Sequence, residues 1–251
     1  MSCSPVASSA SLTALSEMSI PQIAFGARKW EYYFGIRVVE PALPPDIDKI
    51  LTSPCSIFPG NKVKDTHFLV LIPEGMTLEK LEQLTQNAKH GNKVSFIFKD
   101  EEEWTKHKDM PSDKTHWILM TKEVLPQSRN ETWKRQKALA KTFSAQGYDI
   151  PSSIEVAACL LLEHMQTGER VWENPFTFAR CLGDNEDVIE AMGWISWPVC
   201  IGGFTPSFSA LGMQSPGLDG LSIRVFYDTF LTLGHAGWGN QCVGITLARK
   251  F

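Results

Sequence analysis

The sequence predicts an α+β fold: a predominantly antiparallel sheet of mixed strand order with several helices packed against it. Three observations carry this expectation. Apolar residues alternate at Leu221, Ile223, Val225 and Tyr227, and again at Val243, Ile245 and Leu247, as in strands of a sheet covered on one face. Leu78, Leu81, Leu84 and Ala88 recur at helical spacing. No regular series of parallel crossover units links such segments, which disfavours a doubly wound architecture.

An apolar content of 43% over 251 residues excludes general disorder. A chain of this size can bury about 70% of its surface. The net charge is -4 and unevenly spread, with 19 basic and 18 acidic side chains in residues 1–150 but only 5 and 10 in residues 151–251. The charge-poor second part is therefore expected to pack more deeply. Mild acidity offers no broad attraction to nucleic acid, and none is expected as a partner.

The Ser/Ala-rich start lacks the basic opening and compact apolar stretch of a secretory signal, so residues 1–20 read as a flexible leader before a single α+β domain over 21–251. Localisation is accordingly cytoplasmic or by a nonclassical secretion route. No apolar run is long enough to span a bilayer, and the sequence leaves association with a membrane surface open.

Order begins near Ile23, where aromatic and branched residues become frequent. Pro44 and Pro45 interrupt it, and Asp46 caps a short helix through Leu51. The irregular SPCSIFPGNK leads into His67–Ile72, apolar on both pleat faces after its histidine and hence a central strand. Thr77 opens the helix of the Leu78 series and Gly91 stops it. VSFIF is a strand, whereas KDEEEWTKHKDMPSDK is polar and proline-interrupted and reads as an exposed loop. THWILMTK resumes as a strand. Ser128 and Glu131 have the spacing of a capping box for a helix carrying Trp133, Leu139 and Phe143. Pro151, Ser152 and Glu155 open a second, almost wholly apolar helix that Gly168 ends. The short QGYDIP between these helices predicts antiparallel neighbours. Strand candidates follow around FTFARC, WISWPVCIGGF, LSIRVFY and QCVGITLA.

Motif chemistry is sparse. FPGNK lacks the remaining glycine and hydroxyl of a phosphate loop, and IGGF, HAGWG and GLDG lack the dinucleotide fingerprint. The six cysteines and six histidines show neither HExxH nor the close pairing of a zinc module, so no metal and no cofactor is expected. The thiols read as buried fillers, Cys159 within VAACLLL above all. The basic helix residues Arg129, Lys134, Arg135, Lys137 and Lys141 read as a solvent-facing surface.

Three constellations remain. Trp104, with Lys106 and Lys108 behind the acidic run at 100–103, forms a candidate protein-binding surface, an aromatic centre with a charged rim. Trp194, Trp197 and Phe204 around WISWPVCIGGF form a candidate aromatic pocket. Cys55 in its turn-rich segment, with His116 as base, is the alternative: a cysteine-dependent hydrolase or acyltransferase. Asp65 orienting His67 is a second arrangement for the same chemistry.

Three blocks, Ser53–Pro73, Thr115–Asn130 and Pro151–Arg170, resemble a recurrent protein family of environmental chlamydia-like bacteria. The resemblance implies a host-associated, effector-like role and assigns no catalytic residue. The leading expectation is a soluble, noncatalytic protein-interaction module with a protein partner.

Overall fold

The computed structural model describes residues 21, 23–99, 101–173, 177–182, 199–203, 219–225 and 242–251. Two five-stranded sheets organise them. The first is ordered β1 (Ala24–Phe25), β2 (His67–Ile72), β4 (His116–Thr121), β10 (Ala248–Lys250) and β5 (Tyr148–Asp149). Its β1–β2 pair is parallel and the other three are antiparallel. The second is ordered β3 (Val94–Lys99), β8 (Asp219–Val225), β7 (Val199–Gly202), β6 (Phe178–Arg180) and β9 (Val243–Ile245). Here the outer pairs are parallel and the two inner pairs antiparallel. The α+β class and the antiparallel preference hold, but the strands divide between two sheets.

The division runs through one apparent strand. Val243, Ile245 and Leu247 alternate as a single element should, yet the chain breaks at Thr246–Leu247 and changes sheet there. Thr121 fastens the crossing: its amide donates to the Leu247 carbonyl at 2.9 Å, and its hydroxyl accepts from the Leu247 amide at 3.2 Å.

Helix α7 (Ser153–Thr167) packs against strands of both sheets, which explains its nearly all-apolar sequence. Ser152 and Glu155 form the expected capping box, and Gly168 ends the helix in the left-handed region at φ 77°. Helix α6 (Trp133–Lys141) is not its antiparallel neighbour. β5 enters the first sheet between them, and the helix that lies along α7 is α4 (Leu78–Gln86).

Two local expectations change. The polar stretch read as a loop contains α5 (Glu101–His107), acidic where it starts and carrying Lys106 and His107 in its last turn. Those charges complement the helix dipole, and Trp104 packs on Phe96 with ring centroids 5.3 Å apart. The Ser128–Glu131 spacing does not cap α6, whose N-cap is Thr132 accepting from the Arg135 amide at 3.3 Å. Ser128 is buried instead, and its hydroxyl accepts the Ile245 amide at 3.2 Å.

Before β2, α1 (Ala27–Phe34), α2 (Ile47–Thr52) and α3 (Val63–Thr66) are short. α1 is anchored by Trp30, fully buried and donating through Nε1 to the Leu71 carbonyl at 2.8 Å. Gly35 ends it at φ 74°, where a side chain would meet both backbone strain and the Lys89 ammonium.

Candidate functional site

Cys55 and His116 are not brought together. His116 pairs with Ile72 at one end of β2, whereas Cys55 sits close enough to Tyr148 to act on its phenol, which reaches His67 at the other end. Five residues separate those ends, roughly 16 Å at the strand rise. The faces differ too, because His116 and Ile72 point opposite to His67 along the pleat. Cys55 is 4% exposed and its sulfur accepts the Phe58 amide at 3.3 Å. No imidazole hydrogen-bonds that sulfur among the described residues. The proposed nucleophile and base therefore occupy separate environments.

His67 belongs to a buried polar chain. Its Nδ1 faces the Val63 carbonyl at 3.2 Å and the Thr66 hydroxyl at 2.9 Å, so Nδ1 carries the proton. Nε2 is then the acceptor for the Tyr148 hydroxyl at 3.1 Å. Asp65 is exposed and does not orient the ring. Burial pulls the His67 imidazole down to about 4, against the Val63 bond and helped by Lys122. Burial, with Cys55 adding to it and Arg249 opposing, pushes Tyr148 up to about 12. Both groups are neutral at pH 7, and their hydrogen bond joins β2 to β5 across the sheet.

His116 has a different office. Its Nε2 lies 2.9 Å from Glu155 Oε1 and its Nδ1 2.9 Å from the Lys114 carbonyl. Both partners are acceptors, so each contact calls for a ring N–H as its donor. Lys250 Nζ reaches the same Glu155 oxygen at 2.8 Å, and the Ser152 amide donates to Oε2 at 2.8 Å. Burial pushes the Glu155 carboxyl up, but the bonds from His116, Lys250 and Ser152 outweigh it and hold the group at about 2. This cluster ties α7 to β4 and β10 at the edge of an open cleft of about 230 Å³. Sequence reasoning found the Ser152–Glu155 cap but not its cross-sheet partners.

The candidate protein-binding trio is largely engaged within the chain. Trp104 is half-buried against Phe96 and the main core. Lys108 Nζ pairs with Glu79 Oε1 at 3.1 Å and Asp109 Oδ2 at 3.6 Å, and its carbonyl accepts the Glu79 amide, so it fastens α5 to α4. Lys106 is exposed. The Trp194, Trp197 and Phe204 pocket lies outside the described residues.

The exposed aromatic feature is elsewhere. Tyr32 on α1 is 57% exposed and stacks on His90 with centroids 4.2 Å apart and planes at 15°. Tyr33 meets Tyr32 edge-on at 5.0 Å and stacks in turn on buried Phe25 at 5.6 Å. The Lys89 amide donates to the Tyr33 carbonyl at 2.8 Å, which fixes the turn bearing His90 beside the helix. Arg28, one turn before Tyr32 on α1, and Lys89 are exposed cations without a carboxylate partner among the described residues. The sequence signal was WEYYF, whose second aromatic position faces away from the side that buries Trp30; its partner His90 is distant in sequence.

Among the described residues no group of three or more His, Cys, Asp and Glu is placed to hold a metal ion. No helix there is long and apolar enough to cross a membrane. Cys55, Cys159, Cys181 and Cys200 are buried thiols outside any disulfide, and burial pushes Cys159 well up. No family model, curated protein or solved structure matches this chain.

Proposed function

We propose that the chain is a protein-interaction module that receives an acidic segment of a partner on the Tyr32–His90 shelf. The observation carrying this reading is the exposed, rigidly supported aromatic stack with Arg28 and Lys89 beside it. An aromatic side chain already held by its neighbours loses little freedom on binding, and flanking cations steer an acidic partner and set its orientation. Trp104, by contrast, is half-buried on Phe96, and Lys108 is paired with Glu79, so less of that surface is offered to a partner. The resemblance to proteins of chlamydia-like bacteria points the search toward a host partner.

The test compares partner recovery by wild type, Tyr32→Ser with Lys89→Glu, and Trp104→Phe, all verified as folded by circular dichroism. Losing a central aromatic anchor typically costs about 2 kcal/mol or more, roughly thirtyfold in affinity. The shelf variant is expected to lose a partner that wild type and Trp104→Phe retain, and raising the salt concentration is expected to weaken the wild-type complex. Equal recovery by the shelf variant sinks the proposal.

A further inference from the structure

A second feature lies beside the start of β2, which among the described residues the short β1 does not reach. The Ala24 amide closes a turn onto the Pro21 carbonyl at 2.9 Å, and β1 pairs only with Leu69 and Val70. Beyond that pairing a cleft of about 250 Å³ opens toward α7, with Phe25, Phe68, Val70 and Leu162 among its walls and Lys29 and Lys122 at its margin.

The two lysines differ. Lys29 Nζ donates to Gln166 Oε1 at 2.9 Å, and Gln166 Nε2 donates to Glu163 Oε2 at 2.7 Å, so this ammonium has a carboxylate relayed to it. Lys122 Nζ stands 5.6 Å from the centroid of the Phe68 ring, and no side chain among the described residues accepts a hydrogen bond from it or forms an ion pair with it. Glu123 and Glu169 line the adjoining cleft that shares Lys122 and Phe68, yet neither pairs with it. A half-buried ammonium with an aromatic face below and apolar walls beside it lacks only an anion, and an anion brought there by an apolar body gains from both.

We infer that this cleft binds a small carboxylate amphiphile, its carboxylate on Lys122 and its short apolar body against Phe25, Phe68 and Leu162. The volume lies below the roughly 300–1,000 Å³ of sites for drug-sized ligands, which limits the occupant to a short chain or single ring. His67, though it borders the cleft, has both ring nitrogens engaged internally and supplies wall rather than charge.

The probe is sodium octanoate, titrated into the full chain and followed by NMR chemical shifts, with octanamide as the neutral counterpart. Lys122→Met keeps the stem over Phe68 and removes the charge; Lys122→Arg restores it. Saturable shifts at Phe25, Phe68 and Leu162 are expected, with at least tenfold weaker binding for octanamide and for Lys122→Met, and near-native binding for Lys122→Arg. The NMR spectrum of each variant reports its fold in the same experiment. Absence of saturable binding by wild type, or equal binding by Lys122→Met or octanamide, overturns the inference.

Discussion

Two buried titrating groups give the protein two separate acid sensitivities. In the unfolded chain His67 takes up its proton near 6.5, while in the fold it does so only near 4, so between those values the unfolded state binds more protons. Its contribution is complete above pH 6.5 and falls away as the pH drops toward 4, by about 3 kcal/mol. His67→Gln should therefore flatten stability against pH in that window, as read by urea denaturation at pH 7, 5.5 and 4.5. His164, also lowered first by burial, adds to the slope in the same direction, and Glu123, raised first by burial, opposes it. Glu155 acts at lower pH, because its carboxyl moves from about 4.5 unfolded to about 2 folded. Its contribution is present above pH 4.5 and lost as the pH falls toward 2. Glu155→Gln should cost roughly 3 kcal/mol at pH 7, with the gap to wild type closing below pH 4.5. An unchanged gap at pH 3 would show that the charge on Glu155 is not what binds α7 to the sheet.

At the scale of elements, the helices show what a sequence exposes and what it hides. The start of α7 was legible because its cap is local: Ser152 and Glu155 lie three residues apart and satisfy each other. Ser152→Ala should cost about 1 kcal/mol by thermal denaturation. The same spacing at Ser128–Glu131 misled, because Ser128 meets a strand amide 117 residues away, a contact no local pattern contains. α5 was hidden by its polarity: Trp104, the one apolar residue in its sequence, packs on Phe96, and Lys108 just beyond it pairs with Glu79 of α4, so no apolar stripe announces the helix. Trp104→Ala should free α5, seen as faster amide exchange over residues 101–107, while exchange in α7 stays unchanged. Equal loosening of both would contradict the local role given to Trp104.

For the whole molecule, the longer strands were readable, the short β1, β5 and β10 were not, and neither was the division of strands between two sheets. The alternation through 243–247 reports burial on one face, but two sheets can both bury such a face. The polarity pattern thus recorded strands without recording the crossover at Thr246. The same limit applies to the candidate sites. Cys55 and His116 looked compatible in sequence, and only the register of β2 with β4 shows that His116 points away from the face of His67, whose partner Tyr148 lies near Cys55. Tyr32 and His90 looked unrelated until the Lys89–Tyr33 backbone bond set the turn bearing His90 beside α1. Both α7 and the 243–250 segment touch both sheets, so tryptophan fluorescence and far-ultraviolet circular dichroism should report one coincident denaturant transition. The central claim is that partners engage the Tyr32–His90 face. Hydrogen exchange of the chain with and without its recovered partner tests it most directly: protection is expected over 28–35 and 87–93, whereas protection confined to α5 and the 108–114 turn would contradict it.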